Sequence, residues 1–258
     1  MAWVAFCFLV CVALFLSFTH RSYAECGDKG YNWFIIKHKG ELPTFSKEAE
    51  LVDEVGGIYL DSSETAKGEK RVYLTFDAGY ENGNIEKILD IMKEEEVKGA
   101  FFILSNLVFK NTELLKRMAN EGHLICNHTS KHKDQTTLSD DGIKENLLKL
   151  EEVYTEKTGM KLAKYFRFPE GRYSERALKV IKELGYTSVF WSVSYADWDD
   201  SKIESSEYAL NKLLPQIHPG AVVLLHPTSK TNAEMLSEFI RTLKSEGYSF
   251  ATLDMYGK

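Results

Sequence analysis

From Arg71 onward the chain alternates short apolar runs with longer amphipathic ones. The runs RVYLTF (71–76), GAFFIL (99–104), HLICN (123–127), YFRF (165–168), TSVFWSV (187–193) and AVVLLH (221–226) are rich in β-branched and aromatic residues, and their length predicts strands. The intervals between them are long enough for helices. Within them Ile85, Ile88, Leu89 and Met92 share one face at helical spacing, as do Ala177, Leu178, Ile181 and Leu184, and then Met235, Leu236, Phe239, Ile240 and Leu243. Ser139 and Ser174 stand where helix N-caps are expected. Strands alternating with amphipathic helices predict a parallel sheet covered by its helices. An open doubly wound sheet and a closed barrel both satisfy that pattern, and periodicity does not choose between them.

Before Arg71 the pattern changes twice. Residues 25–70 mix aromatic and charged positions without a period, which predicts an irregular N-terminal extension with one short helix near KEAELVDEV (47–55). The first eighteen residues are apolar and carry no charged side chain. With SYA at Ser22–Ala24 supplying small residues before a cut, residues 1–24 read as a signal peptide and the mature chain begins at Glu25. The charged leading region is missing and the apolar stretch approaches the roughly 20 residues that cross a bilayer, so a retained membrane anchor is the other reading. Either way the remainder is exported.

Composition narrows this further. A chain of 258 residues with 44% hydrophobic side chains buries one substantial core, and a formal charge of -6 argues against a nucleic-acid partner. Of the four cysteines, Cys7 and Cys11 fall in the leader, and neither Cys26 nor Cys126 has a CxxC partner. Cys126 is expected to pack as a small apolar side chain.

The polar residues with chemical potential sit at strand ends. Asp77, His128, Arg167, Asp197 and His226 each fall just after a different strand candidate, which gathers them at one sheet edge or at a barrel mouth. His128 and His132 are four apart, so a helical turn would bring both rings to one face as neutral ligands for a divalent metal such as Zn2+. A histidine pair alone is weak, and polar surface is the plainer reading. His123 begins its strand and is expected to face away from the site or to support it. Asp77 suits a base accepting a proton from water, or simply a loop cap. Arg167 has the planar fork to pair with Asp77, and Pro169 and Gly171 shape a tight loop whose backbone N–H groups near Glu170 face a developing oxyanion; a surface ion pair and an ordinary turn are the alternatives. His226 suits a general acid oriented by Asp197, and Trp198 either stacks on a sugar or fills the rim of the core.

Taken in order, TFDAG (75–79), NHTSKH (127–132), RFPEG (167–171), ADW (196–198) and LLH (224–226) resemble the five motifs of the polysaccharide deacetylases of the NodB-homology type. The resemblance implies a distorted (β/α) barrel over a catalytic domain at 71–258, metal-dependent and acting on acetylated carbohydrate. It implies Asp77 as catalytic base, His226 as catalytic acid, Arg167 orienting the base, Asp197 tuning the acid, and His128 and His132 holding the metal. Leu224 is similar to the residue that forms an apolar pocket for the acetyl methyl, beside Trp198, Glu170 and Gly171 as substrate-binding positions. Ala78 departs from the pattern, since the commonest form carries a second, metal-ligating aspartate there.

That departure, with FWSVSYADW and LLHPTSKTNAEML, resembles the sporulation branch that de-N-acetylates muramic acid on the way to muramic δ-lactam. It implies as substrate a peptidoglycan glycan strand whose muramic acid has lost its peptide, functional coupling to the amidase that removes that peptide, and a place in the cell envelope or forespore intermembrane space. Deacetylation of N-acetylglucosamine in peptidoglycan or chitin, and acetylxylan esterase activity, reuse the same groups. A non-catalytic cell-wall binding module is the reading outside enzymology.

Overall fold

The computed structural model describes residues 29–38 and 41–258, with the backbone alone at 64–66. The expected leader at 1–24 and Cys26 lie outside the described residues. Among the described residues no helix is long and apolar enough to cross a membrane.

Among the described residues eleven strands follow in chain order: β1 (Tyr31–Asn32), β2 (Ile35–Ile36), β3 (Thr44–Phe45), β4 (Arg71–Ala78), β5 (Ala100–Ile103), β6 (Leu124–Asn127), β7 (Ala163–Phe166), β8 (Arg172–Tyr173), β9 (Thr187–Ser188), β10 (Ala221–Leu225) and β11 (Ser249–Ala251). The centre is β4. Along one edge it pairs in parallel with β10, from Val72 opposite Ala221 to Phe76 opposite Leu225. Its other edge is shared by β11 near its start and β5 near its end. From β5 the ladder continues in parallel through β6 and β7 to β9. Beyond β9 the chain crosses back to β10 by a single bridge, Val193 to Val223, where the Leu224 N–H donates to the Val193 carbonyl at 2.9 Å. The parallel sheet therefore curls until its ends meet, which makes the distorted (β/α) barrel.

Period-2 alternation along β4 decides what faces where. Val72, Leu74, Phe76 and Ala78 point into the apolar layer between sheet and helices, together with Ile85, Ile88, Leu89 and Met92 from the helix Asn84–Glu94. Met235, Leu236, Phe239, Ile240 and Leu243 of the helix Lys230–Ser245 fill the same layer and are fully buried. Each such side chain contributes about 1.5–3 kcal/mol on burial. The alternate β4 residues, Tyr73, Thr75 and Asp77, face the other side, so the strand delivers a carboxylate to the barrel mouth. Ser139 and Ser174 cap their helices as expected, accepting from the N–H groups of Gly142 and Ala177 at 3.2 Å each.

Three local expectations differ. Strand β4 runs two residues past RVYLTF and includes Asp77 itself. TSVFWSV keeps a ladder only at Thr187–Ser188, because its later residues turn to span the gap to β10. The segment 25–70 is more ordered than its aperiodic sequence suggests. Besides the expected helical turns at Lys47–Ala49 and Glu50–Glu54, it forms a helix at Ser62–Lys67 and places β1 antiparallel to β8. Trp33 anchors it, stacking on Phe190 with ring centroids 4.5 Å apart and donating its indole N–H to the Trp191 carbonyl at 2.8 Å.

Candidate active site

The barrel mouth opens into a groove of about 480 Å³ lined by Asp77, His132, Glu170, Gly171, Trp191, Ser194, Tyr195, Trp198, Leu224 and His226. Five strand ends or the loops after them contribute, which is why Asp77 and His226, far apart in the chain, meet there.

Arg167, the first residue after β7, has no exposed side-chain surface. Its guanidinium donates to Asp77 Oδ1 at 2.8 Å, Thr75 Oγ1 at 2.8 Å, and the carbonyls of Val189 and Phe190 at 3.1 and 3.3 Å. The Phe102 ring lies 4.2 Å beneath its central carbon. Four acceptors and a ring face fix the fork in one orientation, and the fork in turn fixes Asp77. Burial by itself raises the Asp77 carboxyl, but the Arg167 charge and hydrogen bond, with the charge of His226, outweigh it and hold the group below the usual carboxylate range. Asp77 is thus ionised while one of its oxygens, Oδ2, is left clear of the arginine.

His226 follows β10 directly. Its Nδ1 donates to Asp197 Oδ1 at 2.8 Å and its backbone N–H to Asp197 Oδ2 at 2.8 Å, so both carboxylate oxygens hold one residue. Asn232 donates to Asp197 Oδ2 at 2.6 Å and to the His226 carbonyl at 2.9 Å, and receives the Tyr195 hydroxyl at 2.5 Å. Nδ1 being occupied, Nε2 is the nitrogen left for the groove. Burial lowers the imidazole pKa, yet the Asp197 hydrogen bond and charge, with Asp77, raise it above its ordinary value. A depressed carboxyl and a raised imidazole on one groove favour an ionised acceptor beside a protonated donor.

The histidine pair meets by a different route from the expected helical turn. His128 and His132 stand edge to face with ring centroids 4.9 Å apart, but residues 128–134 form a loop. Thr129 and His132 take left-handed backbone angles, φ 76° and 53°. Asn127 Oδ1 accepts the Thr129 N–H at 2.8 Å and Thr129 Oγ1 accepts the His132 N–H at 2.8 Å, so side chains replace the backbone ladder of a helix. Left-handed threonine is costly and persists where the surroundings over-determine it, a condition concentrated at functional sites.

The pair has the chemistry of metal donors. A carbonyl only accepts, so the 2.9 Å contact of His128 Nδ1 with the Arg167 carbonyl places the proton on Nδ1 and the lone pair on Nε2. That Nε2 faces Asp77 Oδ2 at 3.6 Å, while burial pushes the His128 pKa down to about 4. Two lone-pair atoms facing each other in a buried mouth suit a cation beside them. Among the described residues no three His, Cys, Asp or Glu side chains group as a ready metal cluster, so two imidazoles are an open shell. Ala78 adds no donor and is wholly buried in the apolar layer.

The remaining expected positions also reach the groove. Leu224 lines it with 5% of its surface exposed, and Trp198 stands at the rim with 67% exposed. Glu170 adopts φ 57° and lines the groove beside Gly171. Of the backbone N–H groups near Glu170 expected to face an oxyanion, that of Gly171 donates to the Phe168 carbonyl at 3.1 Å, because the loop closes as a 3-10 turn. His123 accepts the Gly99 N–H at 3.2 Å and packs against Phe101, away from the groove. Cys126 is buried and free, with burial pushing its thiol pKa up.

Sequence reasoning missed Thr75, Tyr195 and Asn232. Thr75 was signalled, being two residues before Asp77 on the same strand face; its hydroxyl donates to the Val223 carbonyl at 2.6 Å and accepts from Arg167. Asn232 left no signal, since its role depends on a helix packing behind His226.

The chain is similar to known proteins along most of its length. The polysaccharide deacetylase family model matches residues 64–189. The peptidoglycan-N-acetylmuramic acid deacetylase PdaA of Bacillus subtilis is 38% identical over 98% of this chain and 95% of its own. The structure of Bacillus subtilis PdaA, a family 4 carbohydrate esterase, superposes with a TM-score of 0.83 at 39% identity, covering 89% of this chain and 97% of that one. A family 4 carbohydrate esterase from Bacillus anthracis gives a TM-score of 0.73 at 38% identity, with 89% and 96% covered.

Proposed function

The chain belongs to the polysaccharide deacetylase family, and from that premise we propose that it hydrolyses the N-acetyl group of muramic acid in peptidoglycan, on the route to muramic δ-lactam in the spore cortex. The observation that carries the reading is the pairing of Asp77 and His226 on one groove, each locked by a buried partner of opposite charge, Arg167 and Asp197.

The reaction adds water across an amide: a C–O bond forms, the C–N bond breaks, and acetate and an amine leave. Asp77 Oδ2 accepts the proton of the attacking water, while Arg167 keeps the carboxylate ionised and oriented. His226 Nε2 delivers a proton to the departing nitrogen, and Asp197 sustains its charged form. Leu224 receives the acetyl methyl, and Trp198 covers the face of a sugar at the rim of the groove that Glu170 and Gly171 also line. His128 and His132 would hold a divalent cation such as Zn2+, which supplies Lewis-acid polarisation of the acyl oxygen and acidifies water.

The substrate is a glycan strand whose muramic acid has lost its peptide, which couples the enzyme to an upstream amidase. Such a substrate lies outside the cytoplasm, matching an exported chain that is secreted or held by its N-terminus in the cell envelope. Incubation of the purified chain with peptide-free muramyl oligosaccharides, followed by mass spectrometry, tests the reading. Acetate and a de-N-acetylated muramyl product are expected; acetate from N-acetylglucosamine oligomers alone would overturn the substrate assignment.

A further inference from the structure

The loops that carry the base and the acid are joined by a third loop. Tyr80 lies three residues after Asp77, and its hydroxyl donates to Asp200 Oδ2. Thr228 lies two residues after His226, and its hydroxyl donates to Asp200 Oδ1 at 3.1 Å. The Thr228 carbonyl then accepts the side-chain amides of Asn82 and Asn84 at 2.9 and 2.7 Å, which ties the His226 loop back to the end of the Asp77 loop. One carboxylate thus receives a hydroxyl from each catalytic loop.

Asp200 itself belongs to the loop that begins at Asp197. Asp197 points inward to His226, Trp198 points outward over the groove, and Asp199 turns the chain by accepting the Ser201 N–H at 3.1 Å. With 67% of its surface exposed, Trp198 has little packing of its own to fix its place. On one side its neighbour Asp197 is held by His226 and Asn232, and two residues on the other side the chain is tied at Asp200.

We propose that Asp200 is a positioning residue that ties the base loop to the acid loop and thereby holds Trp198 over the groove for the sugar of the substrate. The substrate part of this inference rests on the proposed function; the restraint on Trp198 does not. Because Trp198 meets a part of the sugar that does not react, loosening it weakens ground state and transition state alike, which appears in KM rather than kcat.

The experiment uses the full chain labelled with 5-fluorotryptophan, the Trp198 fluorine line being assigned by its loss in Trp198→Phe. Asp200→Ala is expected to shift and narrow that line and to raise KM for peptide-free muramyl oligosaccharides about tenfold, with kcat within about twofold. Asp200→Asn, whose amide accepts one hydroxyl and donates to the other, should restore the line and bring KM to within about threefold of wild type. Tyr80→Phe removes one arm and should move line and KM in the same direction by less, which preserves the test if Asp200→Ala fails to fold. An unchanged Trp198 line in Tyr80→Phe and Asp200→Ala, or Asp200→Asn behaving like Asp200→Ala, would overturn the proposal. A wild-type chain that releases no acetate would defeat the substrate reading while leaving the fluorine result to decide the restraint.

Discussion

Arg167 holds a full charge with no exposed surface, so its partners carry what water would otherwise supply. Asp77→Ala should leave that charge unpaired and destabilise the chain by about 3–5 kcal/mol, measured by urea unfolding. Asp77→Asn keeps an acceptor for the guanidinium and should lose less stability, yet deacetylation should fall by about 10²-fold or more because the amide does not accept the water proton. The pH dependence follows from the two shifts. In the proposed mechanism His226 acts in its protonated form, and its pKa is raised, so the alkaline limb of kcat/KM lies above the ordinary imidazole value and activity falls as pH rises through it. Asp77 acts ionised and its pKa is lowered, so the acidic limb lies below the usual carboxylate range. Asp197→Asn removes the charge that raises His226 and should move the alkaline limb to lower pH, read from kcat/KM profiles. A limb unmoved in that variant would separate Asp197 from the acid.

At the scale of elements, the segment before the barrel bears on the site through Trp33. Its backbone N–H donates to the Gly171 carbonyl at 2.9 Å and its indole to the Trp191 carbonyl at 2.8 Å, and both acceptors belong to groove residues. Trp33→Ala should cost about 3–5 kcal/mol of stability by denaturant unfolding. Trp33→Phe keeps the stack on Phe190, loses the indole bond, and should cost about 1 kcal/mol. The strands that build the barrel were legible because β4, β5, β6 and β10 are apolar runs of standard length. The two-residue strands β1, β2 and β3 were not, since they hold their shape through contacts such as Trp33 with Phe190 and have no period of their own. The same distinction applies to the site. Asp77, His128, Arg167 and His226 were visible as polar residues closing apolar runs. Asn232 and Asp200 act across loops that only the closed sheet brings together, and the left-handed turn at Thr129 replaced a helical turn that spacing alone had favoured.

For the whole molecule, the groove is notable for what charges it. Asp77, Glu170 and the imidazoles line it, and among its described lining there is no lysine or arginine; the Arg167 charge acts from behind the wall. In the proposed mechanism, catalysis on the groove rests on two groups held apart in pKa by their own partners, one taking a proton and one giving it. The most direct test compares Asp77→Asn and His226→Ala, with equal metal content, on an acetamido sugar and on an activated aryl acetate. An amine needs a proton to leave, whereas an activated phenolate leaves without one. For His226→Ala, kcat/KM is expected to recover on the aryl ester by about 10²-fold relative to its value on the amide, while Asp77→Asn stays impaired on both. Equal recovery of the two variants would contradict the separate base and acid.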